Sequence, residues 1–391
     1  MEPTYLYEYP DWTHFTWDNE ATLEPLTRAV AQQGRLLGKM EQFGFIVRQD
    51  TEFHHLTEDV IRSSEIEGEI LNTEQVRSSI ARHLGINFEN GVYPSHHIDG
   101  IVQMMLDAAH NFAAELTEER LFGWHAALFP NGHSGYFKIG VARYRDDADG
   151  PMQVVSQKAR DTVVHYRAPA APLVPGMMRE FLAWVNHDTL VAQRATDAQR
   201  ATDAQRATDA HQVPAHPLVK AAISHLWFVT IHPFDDGNGR IARAITDMLL
   251  ARADDTPFRF YSMSAQIQKE KKGYYDMLEH TQKEGPGITG WINWFLTCLE
   301  HSIESAELVI DRIARKSVFW RDNALLVSDE RQRKIINMLF DGFDGHLTSS
   351  KFESIVKCSQ DTAGRLLKDL VGKGILSQEG AGRSTHYVLV S

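Results

Sequence analysis

Cysteine is nearly absent: of 391 residues only Cys298 and Cys358 carry thiols, and they lie far apart in the chain. Two such residues build neither a disulfide framework nor a zinc-ligand spacing. Long apolar runs are missing as well, and none approaches the ~18 residues of a membrane span. The opening residues Met1-Glu2-Pro3-Thr4-Tyr5 lack the basic and apolar regions of a secretory signal. Positive charge is in deficit: the formal net charge of −12 excludes a general nucleic-acid binder. These absences lead us to expect a cytoplasmic protein with no membrane partner.

The apolar content of 43% and charged content of 24% are those of ordinary globular protein. The length allows two or three domains. Charge is unevenly spread. Residues 331–391 hold nine Lys/Arg against six Asp/Glu, a balance of +3 attached to an acidic body. That contrast predicts separate jobs for the two parts.

The most informative stretch is His232-Pro233-Phe234-Asp235-Asp236-Gly237-Asn238-Gly239-Arg240-Ile241-Ala242-Arg243. An apolar helical run from Pro217 through Leu218, Ile223, Leu226, Trp227 and Ile231 enters it. A second leaves it, with Ile241, Ile245, Met248 and Leu249 on one face and Arg240, Arg243 and Asp247 on the other. The pattern reads as helix, tight glycine loop, helix. The free N–H groups at the start of the second helix would stabilise an anion. Glycines would let the backbone approach a phosphate, and two arginines one turn apart could grip further oxygens. Asp-Gly-Asn-Gly alone is an ordinary turn, and an arginine pair alone is usually a solvated helix face. The whole string is far more specific.

It matches, position for position, HxFx(D/E)GNGRxxR and so resembles the signature of Fic-domain proteins. The resemblance implies a mainly α fold with a small β-hairpin flap over the active site. It implies a protein adenylyltransferase that moves AMP from ATP to a Ser, Thr or Tyr hydroxyl of a target protein, with Mg2+. In that reading His232 is the catalytic base and Asp236 holds the metal. Gly237, Asn238 and Gly239 supply backbone and side-chain donors to the phosphates, and Ile241 and Ala242 complete the nucleotide-binding run. Arg240 and Arg243 hold the β/γ end, and Phe234 anchors the loop.

Upstream lies Ile61-Arg62-Ser63-Ser64-Glu65-Ile66-Glu67-Gly68-Glu69. By itself this is the acidic end of a surface helix stopped by Gly68. Beside the signature, Ser63, Glu67 and Gly68 resemble the family's (S/T)xxxE(G/N) inhibitory motif. The resemblance sets Glu67 next to the ATP site, paired with Arg243.

The rest of the chain fills in around these two stretches. Residues 1–18 carry Tyr5, Tyr7, Tyr9, Trp12, Phe15 and Trp17, an arm whose rings should pack on the body. Leu23, Leu26, Val30, Leu37 and Met40 recur at helical spacing. Residues 71–135 read as helices and loops. Their histidines 96, 97, 110, 125 and 133 lack a metal-ligand spacing and are expected to be solvated or hydrogen-bonded. Two β-favouring runs around a polar turn at 140–156 predict the hairpin flap, on which a target backbone would add as a strand. Residues 193–210 are three copies of Gln-Arg-Ala-Thr-Asp-Ala, with no large apolar residue, and read as a solvated insertion. Of Tyr274 and Tyr275, the resemblance favours Tyr275 at the adenine edge, with core packing the plainer alternative.

From Asp329 three short helices and two strands predict a winged helix-turn-helix. Gln360, Asp361, Thr362 and Arg365 fall on the recognition helix and Arg383 in the wing. The expected boundaries are 1–90 for an N-terminal helical region, 91–300 for the catalytic core, 301–328 for a connector and 329–391 for the winged helix. Further expected partners are the protein itself through self-modification, a second copy in a homodimer, and DNA through 329–391. Two other functions compete: removal of AMP by a water that Glu67 orients, and a nucleotide-sensing winged-helix regulator of DNA.

Overall fold

The computed structural model describes residues 3–87, 92–148, 150–158, 161–194, 215–343 and 345–390. The Gln-Arg-Ala-Thr-Asp-Ala repeats from residue 195 onward lie outside the described residues. The fold is mainly α. Helices α1 (Asn19–Glu41), α2 (Phe45–Ile66), α3 (Thr73–His83), α4 (His96–His110) and α5 (Glu118–Leu128) come first. The short strands β1 (His133–Ser134) and β2 (Phe137–Lys138) and the longer β3 (Gln153–Lys158) and β4 (Asp161–Arg167) follow. Then come α6 (Val174–Arg194), α7 (Pro217–Ile231), α8 (Asn238–Asp254), α9 (Met263–Lys269), α10 (Lys271–Gln282) and the long α11 (Thr289–Asn323). The chain ends with α12 (Glu330–Phe340), α13 (Ser349–Val356), α14 (Gln360–Gly372), β5 (Leu376–Glu379) and β6 (His386–Leu389). Among the described residues no helix is long and apolar enough to cross a membrane.

Local chemistry sets many helix starts. The side chains of Asp18, Ser95, Thr117, Ser262, Asp329, Thr348 and Ser359 each accept from an N–H in the first turn that follows. Each such cap satisfies a donor that no helical carbonyl can reach, typically worth ~1 kcal/mol. Helix α7 starts with Pro217, whose missing N–H is no loss at that position.

Two compact units form. One comprises residues 1–42 and 52–306, the other 43–51 and 307–391. In the first, α7 is apolar on nearly every side and all residues from Leu218 to Ile231 are buried, as befits a central helix. It packs against α8, whose Ile241, Ala244, Ile245 and Met248 are fully buried. His225 sits inside this core, its Nδ1 against Thr246 Oγ1 at 2.9 Å and its Nε2 against the Tyr274 hydroxyl at 2.7 Å. The aromatic arm packs edgewise on the same body: Trp12 and Phe15 on Trp227, Tyr5 and Tyr7 on Tyr166.

The second unit has its own core of Val327, Ile335, Ile336, Phe352, Leu367, Leu370 and Tyr387. Strands β5 and β6 pair antiparallel from Leu376↔Leu389 to Glu379↔His386. Gln360, Asp361 and Arg365 lie exposed on α14, opposite its buried Ala363, Leu367 and Leu370.

The hairpin departs from expectation. It was expected at 140–156, but the paired strands are β3 and β4, in register from Gln153↔Arg167 to Lys158↔Asp161. Residues 140–146 form no strand because their polar groups serve the loop before α8. Ala142 is left-handed (φ 54°) and its N–H donates to His125, while Arg145 N–H donates to Pro233 O and Gly140 N–H to Asp235. The turn signal near Gly150 lies just upstream of the hairpin, and the alternation that builds it runs on through Val163 and Tyr166.

Candidate functional site

Helix α7 ends where His232 takes a left-handed conformation (φ 52°, ψ 59°), and its N–H closes the last turn on Phe228 O. The next left-handed residue is Gly237 (φ 81°), which starts α8. A Cβ at Gly237 would also meet the Phe129 ring at 2.9 Å, so glycine is required there twice over. Between the two turns, the Asn238 side chain accepts from Phe234 N–H at 2.9 Å and donates to Phe234 O at 2.8 Å. The Asn238 amide thus closes the loop with its oxygen and one N–H. The N–H groups of Asn238, Gly239 and Arg240 form the first turn of α8, before Ile241 N–H bonds to Gly237 O. Ile241 and Ala242 are wholly buried and line no part of the cleft, so they serve as packing beneath the site.

A cleft of about 530 Å3 opens over this helix start, a size suited to a small ligand. Glu67, His232, Asp236, Asn238, Gly239 and Tyr275 line it, with the hairpin residues Val154 to Ser156 on another wall. The Nδ1 of His232 lies 3.2 Å from Val229 O. A carbonyl only accepts, so Nδ1 carries the proton and Nε2 keeps its lone pair. Burial pulls this imidazole down to about 4; Arg145 adds to that, against the opposing Val229 carbonyl, Glu67 and Asp236. The ring is therefore neutral near pH 7, as a general base requires.

The Asp236 carboxylate accepts from Gly237 N–H at 2.5 Å and from the Ser134 hydroxyl, and lies 3.8 Å from Arg240. Arg240 donates to Glu69 at 2.9 Å and stacks over Phe129 at 5.1 Å. Glu69 also meets His97 at 2.6 Å; burial opposes its charge, but His97 and Arg240 hold it below its ordinary pKa. Arg243 is almost fully buried. Its Nε donates to Ser63 Oγ at 2.8 Å, and its Nη2 to Ser63 O at 2.9 Å and to Glu67 Oε1 at 2.6 Å. Gly68 (φ 85°) terminates the turn that carries Glu67. The Glu67 carboxylate rests directly on Gly239, where an added Cβ would fall 2.1 Å from Oε1. Of the tyrosine pair, Tyr274 is buried against His225, whereas Tyr275 is partly exposed at the cleft with its hydroxyl 3.4 Å from Ile66 O.

Two residues that the sequence did not single out hold the loop. The Arg145 side chain donates to His232 O at 2.7 Å, Pro169 O at 2.5 Å and Asp147 at 3.1 Å. His125 accepts from Ala142 N–H, which leaves its Nε2–H to donate to Asp236 O at 3.2 Å, and it stacks on Phe234 at 4.3 Å. Burial pulls His125 down to about 4, so it stays neutral and structural. No local spacing signals either residue, because both act on backbone atoms distant in sequence.

The donor set suits a triphosphate with one hard cation. Arg240 Nε and Arg243 Nη1 are buried without a partner, and the first turn of α8 faces the cleft with its own N–H groups. Among the described residues no three His, Cys, Asp or Glu side chains gather as a metal cluster. Asp236 would then be the main protein carboxylate on a Mg2+, an ion that is commonly held by one or two carboxylates plus substrate phosphates.

Residues 115–250 match the Fic/DOC family, and residues 5–86 match a family described as a domain of unknown function, DUF4172. Two relatives are each called protein adenylyltransferase Fic. That of Nematostella vectensis is 36% identical over 92 residues, 23% of this chain and 19% of the relative. That of Aedes aegypti is 37% identical over 90 residues, 23% of this chain and 16% of the relative. The chain thus spans under a fifth of the length of these relatives. A solved Fic family protein from Desulfovibrio desulfuricans G20 aligns with 94% of this chain and 96% of its own, at a TM-score of 0.47 and 19% identity. The segment 115–250 encloses the loop and helix that build the cleft, and the chain is a Fic-domain protein.

Proposed function

We propose that the chain is a protein adenylyltransferase acting on Mg-ATP and restrained by its own Glu67. The observation that carries this reading is His232: neutral, with Nε2 unprotonated, in a cleft built over a helix N-terminus, with two buried arginines behind it that each keep one nitrogen without a hydrogen-bond partner. In the step, His232 Nε2 accepts the proton of a target hydroxyl as its oxygen bonds to the α-phosphorus. The bond from that phosphorus to the bridging oxygen breaks, and pyrophosphate leaves with the electron pair. The N–H groups at the start of α8 stabilise charge growing on the phosphate oxygens. Mg2+, held at Asp236, would neutralise charge on the leaving phosphates. Strand β3 or β4 would register the target backbone by added-strand pairing.

Glu67 explains the restraint. Its carboxylate lies on Gly239 and grips Arg243, and so takes the place that a phosphate oxygen would otherwise have at the helix start. We further propose that residues 329–391 form a winged helix that docks a partner through α14. If that partner is DNA, affinity will fall steeply with salt.

The test incubates the full chain and its His232→Ala variant with isotopically labelled ATP, Mg2+ and a cell lysate. Loss of the general base should lower transfer by ~10²–10⁴ without loss of fold. Undiminished labelling by folded His232→Ala would remove the histidine from the chemistry.

A further inference from the structure

We propose that Glu69 is a positioning residue for the cation at Asp236: by holding the Arg240 guanidinium, it keeps that carboxylate open to Mg2+. The inference rests on the nucleotide and metal assignments proposed above. Gly68 (φ 85°) divides the turn after α2 so that it delivers one carboxylate to each arginine of the loop, Glu67 to Arg243 Nη2 at 2.6 Å and Glu69 to Arg240 Nη1 at 2.9 Å. The turn is itself fixed, since Gly68 N–H donates to Glu65 O and Glu69 N–H to Ser64 O, each at 3.0 Å. The two oxygens of Glu69 have different partners: Oε2 takes Arg240, and Oε1 takes His97 Nε2 at 2.6 Å. The other ring nitrogen of His97 lies 2.9 Å from Leu128 O. A carboxylate and a carbonyl only accept, so both nitrogens of this ring donate. Glu69 is thereby anchored from α4, through a ring that is tied in turn to the end of α5.

The alternative partner of Arg240 is Asp236. Its Oδ2 lies 3.8 Å from Arg240 Nη2, about 1 Å beyond a charge-assisted contact. The Arg240 side chain is only 6% exposed, whereas Asp236 is 41% exposed and lines the cleft. A buried guanidinium without an anion is strongly destabilising. Glu69 supplies that anion, and Asp236 is left with neutral donors, the Gly237 N–H and the Ser134 hydroxyl. Its charge then remains for a cation. With Glu69 uncharged, Asp236 becomes the nearest anion to Arg240, and their ion pair competes with Mg2+ for the same oxygen. Groups that set a metal-binding carboxylate from behind typically contribute ~10- to 100-fold to metal affinity.

The test uses the full chain carrying Glu67→Gly, so that Glu67 does not compete, and an ATP analogue with a methylene bridge between the α and β phosphorus. Calorimetry measures its affinity with Mg2+ and with EDTA, and the ratio of the two reports what the cation adds. Asp236→Asn should remove that gain. Glu69→Gln, which keeps the shape and loses the charge, should cut it by ~10-fold or more, with the fold unchanged by circular dichroism. In an Arg240→Met background, Glu69→Gln should cut it no further, as a double-mutant cycle requires when one residue acts through the other. A gain lost with Asp236→Asn but intact with Glu69→Gln would overturn this inference and leave the adenylyltransferase reading standing. Equal losses from Glu69→Gln with and without Arg240 would also overturn it, because Glu69 would then act by another route. A larger gain with Glu69→Gln would make Glu69 a second restraint on the nucleotide and overturn it as well. No Mg2+ gain in the Glu67→Gly chain, or a gain that survives Asp236→Asn, would overturn the metal assignment and this inference together.

Discussion

Replacing Glu67 by glycine sets two effects against each other, and their signs differ. Arg243 is 2% exposed and Glu67 about a third exposed, so their 2.6 Å contact is a partly desolvated, charge-assisted hydrogen bond. Such bonds contribute ~1.5–3 kcal/mol. The Ser63 hydroxyl and carbonyl still hold the guanidinium in place after the change, but its charge lies buried and uncompensated. Stability should therefore fall, by about 2–4 °C in Tm for each kcal/mol lost in a unit of this size. The same freed donors become available to a phosphate. If displacing the carboxylate is what limits the reactive pose, transfer should rise by ~10- to 150-fold, each 1.36 kcal/mol being a factor of ten. The assay measures initial rates of AMP incorporation together with thermal melts, each with and without Mg-ATP. Nucleotide at 100 Kd adds ~2.7 kcal/mol by mass action, and the gain in Tm should be larger in the variant because no carboxylate competes. A lowered Tm with an unchanged rate would show that the contact only braces the fold. Full activity in Glu67→Gly/Arg243→Ala would show that Arg243 is not the group released.

Gly237→Ala must place a side chain at φ 81° and against Phe129, so a loss of ~1–3 kcal/mol is expected in denaturant melts. Arg145→Met removes donors from the carbonyls of His232 and Pro169; a drop of ~3 kcal/mol or more and a slower transfer rate are expected, and an unchanged midpoint would deny its role as strut. The rate should stay flat as pH falls through 6.5 and drop only near pH 4, where His232 gains its proton; a break near 6.5 would refute the buried neutral base. Stability follows a different course. His125, His225 and His232 are held down to between about 3 and about 4 by burial, so below about 6.5 the unfolded chain binds their protons first. Stability should therefore decline as pH falls from about 6.5 toward 4, with slope set by the extra protons bound on unfolding, as urea melts across that range would record.

The loop from His232 to Arg243 was legible because its chemistry is local. Two positive-φ turns, an amide that spans four residues and a helix start all leave marks within twelve positions. The Glu67–Arg243 pair was legible only through resemblance, since no spacing links residues 176 apart. Arg145 was not legible at all, and His125 only as one of several histidines expected to be solvated or hydrogen-bonded. Their partners are carbonyls and N–H groups, which every residue offers, so residue identity carries no signal of the pairing. The hairpin was read too early because Gly150 and its acidic neighbours look like a turn. The real strands depend on a ladder in which His165 bulges, and a bulge breaks the alternation that a reader follows.

The Asn238 amide has a consequence for what the cleft can tell apart. By bonding both the N–H and the C=O of Phe234, it fixes the loop before any ligand arrives, so little ordering entropy would be lost on binding. If the cleft takes a nucleotide, as proposed, such a rigid cradle of N–H groups would measure the length and charge of its phosphate chain and be blind to the base beyond it. On the proposed function, discrimination between one nucleotide and another would then fall to Tyr275, whose hydroxyl lies 3.4 Å from Ile66 O at the end of α2.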